Sequence, residues 1–335
     1  MGNKIIDDLI NALDSSDEST QVYAIEDLCD FKDERIVTAL INRLEIEKSQ
    51  LVREKIVDAL KNIISPEMFT IIYNMFGSKD AFTRNAATMI FAGIGDESVN
   101  YLEQSFFNSD DEIKKLILDS LFGIGTPNAR KAIRHGLNDN SMNVLISSIE
   151  YLGLLSDTES NSRFIEILKS ADQPMLKITL LRSISKICDS NMINQAVEIL
   201  LSGNNYYEIN NLYLGEILNL AGEVGSIEDI LKILDKDFNH DLYSEEISAL
   251  LLAGSKRFPE ITSNDKFREA LFNILNDNNI NGNTLLNIIH LFTFSKSIII
   301  NEKIEKLMNS EILREKKFRN ELIELLNEEW YGINT

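Results

Sequence analysis

Three histidines, two cysteines and a large stock of carboxylates are the side chains here that could hold a metal, move a proton or attack a substrate. His135, His240 and His290 stand far apart, and none has a Cys, Asp or Glu beside it at metal-ligand spacing. Cys29 and Cys188 lie among apolar residues at helical spacing, as small buried hydrophobes do, and form no disulfide framework. That usage fits a reducing compartment, so a cytoplasmic location is expected. Adjacent acids occur at Asp7-Asp8, Asp110-Asp111, Glu245-Glu246 and Glu328-Glu329, but with 53 acidic residues in the chain they read as solvated helix faces. Acid–base catalysis would need a carboxylate shifted by a pocket, which no spacing here signals. Gly93-Ile94-Gly95 and Gly123-Ile124-Gly125 read as helix C-caps and not as phosphate loops. The expectation is no catalytic residue, no metal and no cofactor.

The charge narrows the partners. Against the 53 acidic residues stand 33 basic ones, a net of −20. Such a chain repels phosphate, which argues against nucleic acid and an anionic membrane, and attracts a basic protein surface at long range. The start of the chain is acidic at once, and no apolar run is long enough for a signal or a membrane span. One local anomaly is basic: Asn128-Ala129-Arg130-Lys131-Ala132-Ile133-Arg134-His135. Arg130 and Arg134, one turn apart, are candidates to grip an acidic group on a partner. Tyr73, Tyr101 and Phe107 are candidate aromatic anchors for a partner, as are Tyr206 and Tyr207.

These residues are positioned by a repeat. Leu28, Leu60, Phe91, Leu121, Leu152 and Ile184 recur at steps of 30 to 32 residues. Apolar or small residues stand four and three before each anchor and three after it, one face of a helix. Eleven before it stand Asp17, Ser49, Asp80, Asp110, Ser141 and Gln173, five of them strong N-cap types. Seven before it stand Gln21, Arg53, Arg84, Lys114, Leu145 and Lys177. Each unit then breaks at Asp, Ser, Thr or Gly, twice followed by Pro (Pro66, Pro127), and a second amphipathic helix follows. Scarce punctuation, 15 Gly and 4 Pro, agrees with long helices. The expected fold is all-α: a right-handed solenoid of about nine stacked antiparallel helix pairs with terminal capping helices, since one pair cannot bury its apolar face alone. Regular repeats with an N-terminal cap are expected over 1–203. Divergent ones, with pairs near 206–236, 242–276 and 283–309 and a cap at 311–329, are expected over 204–335.

The run Asp80-Ala81-Phe82-Thr83-Arg84-Asn85-Ala86-Ala87-Thr88-Met89-Ile90-Phe91-Ala92-Gly93-Ile94-Gly95-Asp96-Glu97 resembles the HEAT-repeat family, and more narrowly the short HEAT-like repeats of phycobilisome lyases. Leu121-Phe122-Gly123-Ile124-Gly125 and Tyr151-Leu152-Gly153-Leu154-Leu155-Ser156-Asp157 repeat its ending. The resemblance covers residues 17–203 well and the rest loosely. It implies that second helices line a concave surface, that Asp17, Asp80 and Asp110 cap helices, and that Arg53 and Arg84 link neighbouring repeats.

The function expected is a binding scaffold or adaptor for a protein with a basic surface, for example an inhibitor or immunity-type protein that masks it. Two alternatives follow from resemblance: a bilin-lyase-like protein handling a chromophore, and a HEAT-like DNA glycosylase, which the single Trp and the charge of −20 disfavour.

Overall fold

The computed structural model describes residues 2–187, 189–201, 226–234 and 244–276, with a few single positions between 222 and 291. Among the described residues there is no strand. The chain divides into two compact units, Met1–Asp157 and Thr158–Thr335.

In the first unit the helices are α1 (Gly2–Ala12), α2 (Glu18–Leu28), α3 (Glu34–Ile46), α4 (Gln50–Ile63), α5 (Phe69–Asn74), α6 (Ala81–Ile94), α7 (Val99–Phe106), α8 (Asp111–Ile124), α9 (Pro127–Ile133) and α10 (Met142–Leu154). Short 3₁₀ turns extend the second helices: Pro66–Met68 before α5, Met75–Gly77 after it, Gly95–Ser98 before α7 and Arg134–Asn138 after α9. First helices pack on first helices in series, α2 on α4, α4 on α6, α6 on α8 and α8 on α10. Second helices lie beside them, α3 on α4, α5 on α6, α7 on α8 and α9 on both α8 and α10. α1 packs on α2 and α3, the place of a second helix ahead of the first full pair. The second unit holds α11 (Asn161–Ser170), α12 (Pro174–Ile187) and α13 (Ser190–Leu201), in mutual contact, and a further contacting set of α14 (Ile227–Leu234), α15 (Ser244–Arg257) and α16 (Asp265–Asn276). The longer turn expected near Pro259 is a 3₁₀ turn, Pro259–Ser263. The expected pair at 283–309, the cap at 311–329 and the change of regularity near 203 lie at or outside the edge of the described residues.

The seam is the one the anchors predict. Leu28, Leu60, Phe91, Leu121, Leu152 and Ile184 are all 0% exposed. Each fully buried Leu, Ile or Phe contributes about 1.5–3 kcal/mol. The capping column holds as well: Asp17, Ser49, Asp80 and Asp110 accept from the amides of Thr20, Val52, Thr83 and Ile113. Ser141 makes no such bond.

Two further columns organise the turns. Thirteen residues before the anchor, a side-chain oxygen accepts the amide two positions on: Ser15 from Asp17 (3.1 Å), Glu47 from Ser49 (2.7 Å), Ser78 from Asp80 (3.2 Å) and Asp139 from Ser141 (2.9 Å). Four after the anchor, Gly95 and Gly125 take positive φ of 79° and 66°, which glycine adopts without a Cβ clash, and Gly125 ends its helix in the left-handed conformation. Ser156 holds the same place at φ 51°. There the Asp157 amide donates to Leu152 O (2.9 Å) and the Ser156 amide to Gly153 O (3.0 Å), a Schellman ending built on a non-glycine residue.

Candidate binding face

The basic column seven before the anchor is spent on turns. Side chains in the first helical turn point back toward the N-terminus, so the carbonyl six residues earlier comes within reach. Arg53 Nε donates to Glu47 O (2.6 Å), Arg84 Nη1 to Ser78 O (2.7 Å) and, in the second unit, Arg268 Nε to Thr262 O (3.1 Å). Arg53 also spans to the next repeat: its guanidinium lies 4.7 Å from the Phe82 ring centroid and 3.8 Å from Asp80. Arg84 differs from the expected inter-repeat link, since its bonds go to Ser78 O and Lys79 O in the turn before its own helix. The link beyond is made one repeat later, by Lys114 Nζ to Asp139 (2.7 Å).

The basic cluster on α9, expected to grip a partner, is likewise bonded into the fold. Arg134 donates through Nε (2.8 Å) and Nη2 (2.5 Å) to the two oxygens of Asp157, whose side chain is 4% exposed. Arg130 Nη1 donates to Leu155 O (3.2 Å). Both guanidiniums therefore close the turn that ends α10, one repeat along. The sequence could not show this, because the destination lies some 25 residues away in the chain.

The aromatic candidates are brought together. Phe69, Tyr73, Phe76, Phe91 and Tyr101 form a continuous ring cluster, with centroids 5.6–6.2 Å apart from pair to pair. Phe69, Phe76 and Phe91 are core; Tyr73 and Tyr101 are half-buried with hydroxyls at the surface. The Tyr101 hydroxyl donates to Thr70 (3.2 Å), and Tyr73 pairs with Ser109 (2.9 Å), so α5 and α7 are tied across the repeat boundary. Phe107 is 60% exposed and packs edge-on against His135 at 4.9 Å. His135 Nε2 pairs in turn with Glu103 (2.6 Å), a contact no spacing in the sequence announces. Tyr206 and Tyr207 lie outside the described residues.

Around these rings the charge thins out. Residues 68–78 carry no charged side chain and 98–109 carry one, Glu103, in a chain that is 26% charged. Thr70, Asn74, Asn100, Gln104 and Asn108 are exposed beside Phe107. Acids gather at the helix ends instead: Glu67, Asp96 and Glu97 where the second helices begin, Asp110, Asp111 and Glu112 where α8 begins. Asp96 accepts from Thr126 (2.5 Å) and Asn128 (2.7 Å), which hold its carboxyl below the ordinary value. A groove of about 510 Å³ opens beside α8, lined by Phe76, Arg84, Asp110, Glu112, Lys115 and Asp119 among others. Among the described residues no cluster of His, Cys, Asp or Glu could hold a metal ion, and no helix is long and apolar enough to cross a membrane.

Stacked helix pairs that share a buried seam, as the first unit shows, are the helical-repeat solenoid class. Residues 6–92 match the family model of HEAT repeats, so the chain carries HEAT repeats there. Two solved structures share the fold. One is Kap95p, whose binding induces the switch loops of RanGDP to adopt the GTP-bound conformation: 13% identity, TM-score 0.52, covering 97% of this chain and 51% of that one. The other is Kap121p bound to Nup53p: 12% identity, TM-score 0.52, covering 91% and 39%. The chain thus spans about half the length of Kap95p or less of Kap121p. The CpcE–CpcF complex of phycocyanin lyase from Nostoc superposes over 67% of this chain and 92% of that one at 18% identity, with a TM-score of 0.30 too loose to bear on function. No curated protein matches.

Proposed function

We propose that this chain is a non-catalytic docking scaffold, and that the second-helix face centred on Tyr101 and Phe107 receives another protein. The carrying observation is Phe107, a large ring 60% exposed at the end of a nearly uncharged strip of tyrosines and amides. Interfaces favour such a composition: aromatic anchors surrounded by neutral hydrogen-bonding groups, with charge kept to the rim. The net charge of −20 favours a partner with a basic surface, such as a toxin or nucleic-acid enzyme held inactive by masking.

The test compares affinity capture from the native host by the wild type, by Phe107→Glu and by Met89→Glu. Met89, 51% exposed on α6, places the same new charge on a first helix. A partner retained by the wild type and by Met89→Glu but lost from Phe107→Glu is the expected result. One retained by all three means that this face is not the docking site.

A further inference from the structure

The strip has a direction. Down α7 and the turn before it, Glu97, Tyr101, Gln104 and Phe107 follow at spacings of four, three and three, which keeps them on one side of the helix. Down α5 and its leading turn, Glu67, Thr70 and Asn74 follow at three and four. The Tyr101–Thr70 hydrogen bond sets the two rows side by side. The α7 row therefore runs from exposed carboxylates, through Tyr101 and Gln104, to the exposed Phe107 ring, with Asp110, Asp111 and Glu112 beyond it where α8 begins, and the α5 row runs alongside from Glu67 through Thr70 to Asn74. Of the nearby cations, Lys61 is paired with Asp58 at 2.9 Å, Arg130 and Arg134 close the α10 turn, and exposed Lys131 borders the strip on α9.

Resting on the docking role proposed above, the geometry points to one kind of occupant: an extended protein segment with Lys or Arg at one end and a large apolar residue at the other. The basic end meets Glu67, Asp96 and Glu97, and the apolar residue meets Phe107. The ten residues from Glu97 to Phe107 cover roughly 15 Å of helix. An extended chain spans that length in about five residues. An extended segment also presents free backbone amides and carbonyls to Asn74, Asn100, Gln104 and Asn108, whereas a helix spends these groups internally.

The experiment selects a phage-displayed random-peptide library on the full chain and measures the winners by fluorescence anisotropy. Selected peptides should carry a basic cluster about five residues from a large apolar residue. Their affinity should fall about 10-fold or more in Phe107→Ala, fall comparably in the double variant Glu67→Gln/Glu97→Gln, and weaken as salt rises. Glu150→Gln, on the exposed side of α10, should change nothing. Peptides that need Phe107 but ignore the two carboxylates and salt overturn the basic-end inference and leave the docking face standing. Peptides indifferent to Phe107 overturn both. All four positions are exposed, and unchanged circular dichroism of each variant separates lost binding from lost folding.

Discussion

Arg134→Ala separates a structural cation from a partner-binding one. In the wild type its guanidinium makes a two-pronged bond to Asp157, which is 4% exposed. Removing one member of a buried pair costs about 3–5 kcal/mol, because the surviving charge keeps its desolvation penalty without its partner. Arg134 is itself 24% exposed, so water reaches the pair and screens it, bringing the cost below that range to about 2–3 kcal/mol. For a cooperative unit of the size of Met1–Asp157, that lowers the melting temperature by about 5–10 °C. Arg134→Lys keeps the charge but not the planar fork, and should recover about half of the loss. Pairing Arg134→Ala with Asp157→Ala should cost less than the two single changes added together. Thermal unfolding of the full chain gives the magnitude. Amide exchange across Tyr151–Asp157 shows that the loss is local even where the two compact units melt separately. If Arg134→Ala melts like the wild type while a bound partner is lost, the internal role argued for Arg134 is wrong and the open grip is restored.

Three other outcomes follow from the same turns. Ser156→Gly relieves a left-handed conformation at φ 51° and should raise stability by about 0.5–1 kcal/mol in thermal unfolding, the left-handed penalty exceeding glycine's entropic cost; no gain would mean that the Schellman ending is not strained. Gly136→Ala places a methyl group against the Ser148 side chain of α10, which is itself 0% exposed, and should cost about 1–3 kcal/mol; a neutral result would mean that the second helix can back away from the seam. Burial pushes Asp139 up, but the hydrogen bonds from Lys114 Nζ and the Ser141 amide, with the Lys114 charge, outweigh it and hold the carboxyl below its ordinary value. Its contribution is then fully present above the usual carboxylate range and disappears as pH falls through the depressed value. Melting curves of the wild type and Asp139→Asn should differ near neutral pH and converge in acid; a gap constant with pH would refute the assignment.

The seam and the caps were legible because each depends on one residue type at a fixed phase. A Leu, Ile or Phe every 30 to 32 residues marks a shared core, and an Asp or Ser eleven positions earlier marks a helix start, which Asp17, Ser49, Asp80 and Asp110 cap and Ser141 does not. The column thirteen before the anchor was not legible. Ser15, Glu47, Ser78 and Asp139 make the same bond with three different side chains, so the column has a function without a composition. The internal bonds of Arg130 and Arg134 were not legible for a different reason. Their spacing showed a shared helix face but not what that face meets, and the acceptors are Leu155 O and Asp157 of the next turn. Tyr73, Tyr101 and Phe107 were picked out in the sequence, but His135, which reaches Phe107 and Glu103 from the neighbouring repeat, becomes visible only once α7 and α9 are packed.

A division of labour explains why the neutral strip stands out. Each repeat must satisfy the amides that open its first helix, hold the turn before it and tie itself to the next repeat. The polar side chains that do this, Asp80, Arg84, Lys114, Arg134, Asp139 and Asp157, all sit at helix ends or reach toward them. The middle of a second helix has no such duty, because its backbone is paired within the helix and its inner side is covered by the first helices. Residues exposed there are free of the repeat's own demands, and in an acidic chain the default occupants of free positions would be carboxylates. On α5 and α7 the exposed ones are instead Thr70, Asn74, Asn100 and Gln104, with Phe107 just past the end of α7. A ring left 60% exposed brings the isolated fold only the partial burial of its contacts with Phe106 and His135. The proposed docking role sets a requirement: replacing Phe107 with Asn should leave the melting temperature within about 1 °C, as surface substitutions do, while removing partner binding. A large loss of stability in Phe107→Asn would show that the ring serves the fold through His135, and the docking face would lose its anchor.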